Sequence, residues 1–398
     1  MTVENTPQKG RDIDLLDVNL FVERHEHEVF RQLRDEAPVH FNPEPDGPGF
    51  YALTRYDHIK AVAQDHVRFC SGKGTQIRDK RAEGTGHPSV HNADPPIHGA
   101  LRKVGMPPLR RSVIEGRGAR IREIITDLME ATPRGDYFDF VEAISVKIPM
   151  IVFADVLGVP DDMQLTMVHW ANTMSDVLAS DAEQATARAD LFAYFRRLAA
   201  EKRADPQEDL ASALVTAEID GARLTEEQLD AYFMVLTVAG NETTRNLLSG
   251  GLEQLCRQPG DMARLREAPG LIPKAVEEMV RWVSPVIQMR RTAIEDSDLF
   301  GVPIAAGTKV VLYFASGNRD ERMFDRAGDF IIDRQPNAHM GFGIGPHFCL
   351  GAHLARVETQ IFFEEFFKRY SACEIEGLGD RLPSNWFAGT AKLMVKWQ

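Results

Sequence analysis

The chain has 398 residues, 43% of them hydrophobic and 26% charged, so it can bury a large core and is neither disordered nor fibrous. Its formal net charge of −13 argues against nucleic-acid binding, and four scattered cysteines (Cys70, Cys256, Cys349, Cys373) without C-x-x-C spacing argue against a zinc site or a disulfide framework. The first residues lack the apolar core of a signal peptide and no run of ~18 apolar residues offers a membrane span, so a cytoplasmic protein without a membrane anchor is expected.

No repeat, linker or low-complexity tract divides the sequence, which predicts one domain over residues 15–398 behind a flexible N-terminal tail at 1–14. The turn-rich stretch Pro43 to Gly49, followed by Phe50 to Tyr56, predicts a small N-terminal sheet region. From about Pro107 onward the apolar spacing is mostly helical, as at Ile121, Ile124, Ile125, Leu128 and Met129. Thr225-Glu226-Glu227-Gln228 is a capping box opening the longest helical pattern, which runs to about Cys256. At ~1.5 Å per residue that pattern would extend ~48 Å, enough to cross the molecule. Its middle, Ala231 to Ala239, is apolar nearly all round and should lie in the interior.

Inside that helix, Ala239-Gly240-Asn241-Glu242-Thr243-Thr244 places a glycine, an amide, a carboxylate and two hydroxyls. A mid-helix glycine costs about 1 kcal/mol relative to alanine, and an unpaired interior carboxylate costs more. Such a burden suits a ligand approaching the backbone or a proton relay; a kinked helix exposing its polar face is the alternative. A further helix begins near Ile272-Pro273 and runs through Arg281, with Glu278 and Arg281 on one face, where a commonplace surface ion pair would form. Lys309 to Phe314, after the turn Ala306-Gly307, predicts a strand. The expected fold class is mainly α with a minor β region.

The most informative stretch is Phe342-Gly343-Ile344-Gly345-Pro346-His347-Phe348-Cys349-Leu350-Gly351. Gly345 and Gly351 flank the cysteine, letting the backbone turn tightly and aim N–H groups at the sulfur. Gly341, Gly343 and Gly345 do not make a dinucleotide fingerprint, because Pro346 stands where the third glycine belongs and no apolar strand leads in. Taken alone, the run also suits a buried structural cysteine.

This Phe-x-x-Gly-x-x-x-Cys-x-Gly pattern follows the acid–threonine helix and the Glu-x-x-Arg pair in that order, and the chain thereby resembles the cytochrome P-450 family, of the soluble bacterial type. The resemblance runs from His98 to the helix Ala352 to Arg369. It implies the P-450 fold, with the long helix crossing a haem b whose iron takes Cys349 as axial ligand, with Phe342 and Gly351 beside it. His98, Arg102, Arg291 and His347 would meet the propionates, Arg290 being less well placed. Ala239 and Gly240 would leave room for dioxygen. Glu242 would be the acid connected to solvent, Thr243 the hydroxyl directing protonation, and Thr244 a neighbour bonding back to the helix. Glu278 and Arg281 would form a buried structural pair, and Asn318-Arg319-Asp320 with Phe330 to Arg334 would form the meander before the cysteine loop.

By family position the pocket draws on residues 74–92 and 167–178 and on Met234, Val235, Val238, Val286, Ile287, Met289 and Phe387. Their apolarity suits a lipophilic substrate, of terpenoid, steroid or branched-lipid kind. The implied reaction inserts one atom of O2 into that substrate, typically as a hydroxyl, and releases the other as water. The chain carries no flavin or iron–sulfur module, so a ferredoxin and ferredoxin reductase are the expected partners of a monomer. Arg102, Lys103, Arg110 and Arg111 form a candidate docking patch, solvated helix ends being the duller explanation. Two rivals stay open: a peroxide-driven haem peroxygenase, which would ordinarily lack the acid–threonine pair, and a non-catalytic lipid-binding protein.

Overall fold

A long central helix, Glu226–Cys256, organises the structure, a computed structural model that describes residues 13–78, 88–175 and 179–398. Parts of the expected pocket segments 74–92 and 167–178 therefore lie outside the described residues. So does most of the expected tail, but its last two residues are tied to the body. Asp14 Oδ1 accepts from Asn42 Nδ2 at 3.0 Å, and His40 Nε2 lies 3.2 Å from the Ile13 carbonyl.

The central helix starts where its capping box predicts. Gln228 N–H donates to Thr225 Oγ1 at 3.3 Å, and Thr225 N–H donates to Gln228 Oε1 at 2.9 Å. Its 31 residues span ~46 Å and bury Leu229, Tyr232, Phe233, Leu247, Leu248, Leu252 and Leu255. Helices Lys147–Leu157 and Ile272–Val283 pack on it, and Ala352–Arg369 packs in turn on Ile272–Val283 and on Gly118–Glu130. The crossing with Ile272–Val283 is close because two glycines stand at it. A Cβ on Gly250 would come within 2.9 Å of Val283, and one on Gly251 within 2.9 Å of Met279.

The β region is small, as expected. One sheet orders Val39–Asn42, Phe50–Leu53, Lys309–Leu312, Met289–Ala293 and Phe69–Cys70. Its pairs are antiparallel except the second, where Phe50 to Leu53 run parallel to Lys309 to Leu312. A second sheet pairs Met394–Trp397 with both Cys373–Ile375 and Phe138–Asp139. Tyr56, expected to end a strand, instead opens the helix Tyr56–Gln64. Ile287, expected in the pocket, is 2% exposed and belongs to the core beneath the first sheet, with Phe50, Val311 and Tyr313.

Candidate active site

The cysteine loop turns on two residues in the left-handed region, Gly343 at φ +71° and Gly345 at φ +77°. Gly345 also sits so close to the helix Tyr56–Gln64 that a Cβ would approach the Ala63 carbonyl oxygen to 2.6 Å. Gly351 corrects the expectation: at φ −87° it uses an ordinary conformation, and its contribution is a backbone N–H directed at the Cys349 sulfur. Cys349 N–H donates to the Phe342 carbonyl at 2.8 Å, closing the loop. Burial pushes the Cys349 thiol pKa up, while that Gly351 N–H and the charges of Arg102 and Arg356 pull it back. Cys349 is exposed as a residue, although enough protein surrounds its sulfur for burial to dominate the thiol.

The central helix shows a matching irregularity. Ala239 is exposed although Thr237 and Asn241, two residues to either side, are buried. One turn on, Thr243 Oγ1 donates to the Ala239 carbonyl at 2.9 Å. The bond back to the helix, expected of Thr244, is thus made by Thr243. Glu242 is buried and paired with Arg245 at 3.1 Å on the same helix, so the polar cluster does not turn out to bulk solvent. Tyr232 Oη donates to the Leu101 carbonyl at 2.9 Å, tying the central helix to Ile97–Gly105, the helix that carries His98 and Arg102.

Near the cysteine, imidazole and guanidinium side chains converge. The His98 and His347 rings lie 4.1 Å apart between centroids, and His347 Nε2 lies 3.2 Å from Ser71 Oγ. Burial and then the charges of Arg291, His98, His91 and Arg102 push the His347 pKa down to about 2. Arg291 is buried and donates to the Arg290 carbonyl at 2.9 Å. Arg290 itself turns away, donating to Thr292 Oγ1 and to the Lys73 carbonyl, each at 3.1 Å. Asp94, which offsets Arg291 and His98, has its oxygens engaged by the Ser71 and Gly72 N–H groups at 2.7 and 2.8 Å. His98 Nε2 is buried without a hydrogen-bond partner among the described residues. This donor set fits a ligand with two carboxylates. At Gly351, an added Cβ would meet no protein atom within 4 Å, so the loop leaves room for a flat group against the sulfur.

Glu278 and Arg281 are both fully buried, and the pair is a triad. Arg281 donates to Glu278 at 2.8 and 2.7 Å, and Arg334 Nε donates to its oxygens at 3.1 and 3.0 Å. Arg281 further holds the carbonyls of Asn318, Ala327 and Asp329 at 2.7–2.9 Å. Arg334 was legible only as part of a meander. Asn318, too, was legible only as part of that meander, and Arg356 escaped the sequence altogether. Asn318 Oδ1 accepts from Met340 N–H at 2.7 Å, just ahead of the cysteine loop. Arg356 grips Glu277 through two bonds, at 2.6 and 2.8 Å, and lies 4.3 Å over the Phe342 ring.

Of the expected pocket residues, Val286 and Phe387 are paired by an isolated antiparallel bridge. Met234 and Val235 flank the main core, Val286 and Met289 flank the sheet core, and Val238 is half-buried. In the expected basic patch, Arg111 is already paired with Glu115 at 2.7 Å. No helix among the described residues is long and apolar enough to cross a membrane.

A family model described as Cytochrome P-450 matches residues 270–392. The chain is 35% identical over 398 residues to the linalool 8-monooxygenase of Pseudomonas putida, covering 96% of this chain and 98% of that protein. It is 36% identical over 387 residues to the methyl-branched lipid omega-hydroxylase of Mycobacterium tuberculosis, covering 93% and 90%. Among solved structures, a Mycobacterium marinum cytochrome P-450 in complex with pseudoionone superposes with a TM-score of 0.90 at 33% identity, covering 99% of this chain and 100% of that one.

Proposed function

The chain belongs to the cytochrome P-450 family and is a monooxygenase, and we propose that it holds haem b through Cys349 and hydroxylates a lipophilic, methyl-branched small molecule. The carrying observation is the sulfur itself. Cys349 is enclosed where burial disfavours a thiolate, yet one N–H and two guanidinium charges are set to support the anion. A metal cation completes that arrangement. When bound, the haem supplies the activation of dioxygen and the insertion of one oxygen atom.

The chain's own residues do the rest. Cys349 would hold the iron as a thiolate, its charge tempered by the Gly351 N–H. His98, whose buried Nε2 lacks a partner among the described residues, with Arg102, Arg291 and His347 would hold the two propionates. Ala239 and Gly240 keep side-chain bulk away from the oxygen site. Thr243, its own proton engaged by the Ala239 carbonyl, presents lone pairs that hold a water or an incoming O–H in place. Glu242, buried and paired with Arg245 at 3.1 Å, is the carboxyl group placed to pass a proton inward.

Linalool, a methyl-branched lipid and pseudoionone, the compounds in the relatives' names, share branched apolar chains. The apolar set Met234, Val235, Val238, Val286, Met289 and Phe387 suits the same chemistry, and a terpenoid, steroid or branched lipid is the substrate class. Electrons come from a ferredoxin and its reductase, docking at Lys103 and Arg110, while Arg111 is neutralised by Glu115. Lys103→Glu with Arg110→Glu should raise the apparent ferredoxin dissociation constant; unchanged saturation kinetics would remove the patch. For the central claim, the reduced protein should show the strongly red-shifted carbon monoxide band of thiolate ligation, and Cys349→Ala should abolish it. A colourless protein, or a band typical of nitrogen ligation, defeats the proposal.

A further inference from the structure

The last residue of the central helix and the first residue of an edge strand bring two thiols together. Cys256 Sγ and Cys373 Sγ lie 3.2 Å apart, although 117 positions separate them in sequence. Both are free, and both are half-buried. The other two cysteines stand apart: Cys349 is in the glycine-rich loop before the helix Ala352–Arg369, and Cys70 is buried in the first sheet. A disulfide needs the sulfurs at about 2.0 Å, so bond formation requires an approach of about 1 Å, within reach of small side-chain adjustments. The backbone elements are already in contact, the helix end against Cys373–Ile375.

We propose that Cys256 and Cys373 form a reversible disulfide, a redox-responsive staple between the central helix and the C-terminal sheet. The oxidant is a low-molecular-weight disulfide. The Cys373 thiolate attacks one of its sulfurs, breaking that S–S bond and expelling one small thiol. Cys256 then attacks the mixed disulfide, forming the internal bond and expelling the second. Two electrons pass from the cysteine sulfurs to the oxidant, and the two thiol protons leave with the released thiols. The order follows from position. Cys373 lies on an edge strand, whereas the neighbouring thiol, burial and Glu253 push the Cys256 pKa up; once Cys373 is in the mixed disulfide its thiol no longer contributes, and Cys256 can lose its proton and resolve. The product closes a long loop and so restrains the unfolded chain.

The test uses the purified full-length protein and oxidised glutathione, followed by acid quenching, alkylation and peptide mapping. A Cys256–Cys373 linked peptide should accumulate, faster at higher pH, and disappear on adding a thiol reductant. The thermal unfolding midpoint should rise with the link and fall back with reduction. Cys256→Ser should stop at a glutathione adduct on Cys373, and Cys373→Ser should give neither product. Full alkylation of both cysteines in the wild type after oxidation overturns the proposal, as does a wild-type glutathione adduct that never resolves. The wild-type map decides the matter even if a variant folds poorly.

Discussion

At Thr243 one hydrogen bond decides what the side chain can do next. Because its proton goes to the Ala239 carbonyl, the hydroxyl acts as an acceptor, and Thr243→Ala removes that acceptor without touching Cys349. The variant should keep the carbon monoxide spectrum while reducing equivalents appear as hydrogen peroxide instead of product. Product formed per electron pair consumed checks this, and undiminished coupling would dismiss the role. Cys349, Glu242 and Thr243 could be proposed from the sequence because chemistry fixes their residue types and spacing locally. The contacts of Arg334, Asn318 and Arg356 could not be, since their partners lie far along the chain: Arg334 meets Glu278 across 56 residues and Arg356 meets Glu277 across 79. Ile287 misled for another reason. In an extended segment apolarity alone does not say which face a residue takes, and Ile287 faces the sheet core.

Between elements, the buried Glu278–Arg281–Arg334 triad fixes the helix Ile272–Val283 against the meander, and through Asn318 the start of the cysteine loop. Every oxygen of Glu278 is engaged, by Arg281, Arg334, Asn337 Nδ2 at 3.2 Å and Ile331 N–H at 2.8 Å. Removing one partner of such a network leaves buried charge uncompensated. Arg334→Ala should therefore cost about 3–5 kcal/mol in urea unfolding. It should also weaken haem retention, because the loop loses its backing; a change under about 1 kcal/mol would show the site to be solvated. The long helices were readable from sequence, since a capping box and a 3.6-residue period are local signals. Where the Phe50 strand ends was not, because Tyr56 opens its helix with its N–H held by Asp320, a distant residue.

Across the whole molecule, two carboxylates act as acid-sensitive fastenings. Burial alone would raise the Glu277 pKa, but bonds from Arg356 and His339 outweigh it and hold the group at about 2. Glu365, bonded by Lys368, Arg122 and Arg369 on the helix Ala352–Arg369 and its neighbour, is likewise held at about 2. A carboxylate depressed in the folded state contributes stability above its ordinary value near 4.5 and loses it as the pH falls toward about 2. Stability should thus decline through that window, and Glu277→Gln with Glu365→Gln should flatten the decline; an unchanged pH profile of the urea midpoint would exclude these groups as its cause. The parallel pairing of Phe50–Leu53 with Lys309–Leu312 bears on how the protein is born. A ribosome delivers the first strand long before the second, roughly half a minute at about 10 residues per second. Until then the hairpin Val39 to Leu53 waits with one bare edge, so a nascent chain stalled in that interval exposes a template for pairing with its neighbours on the same message.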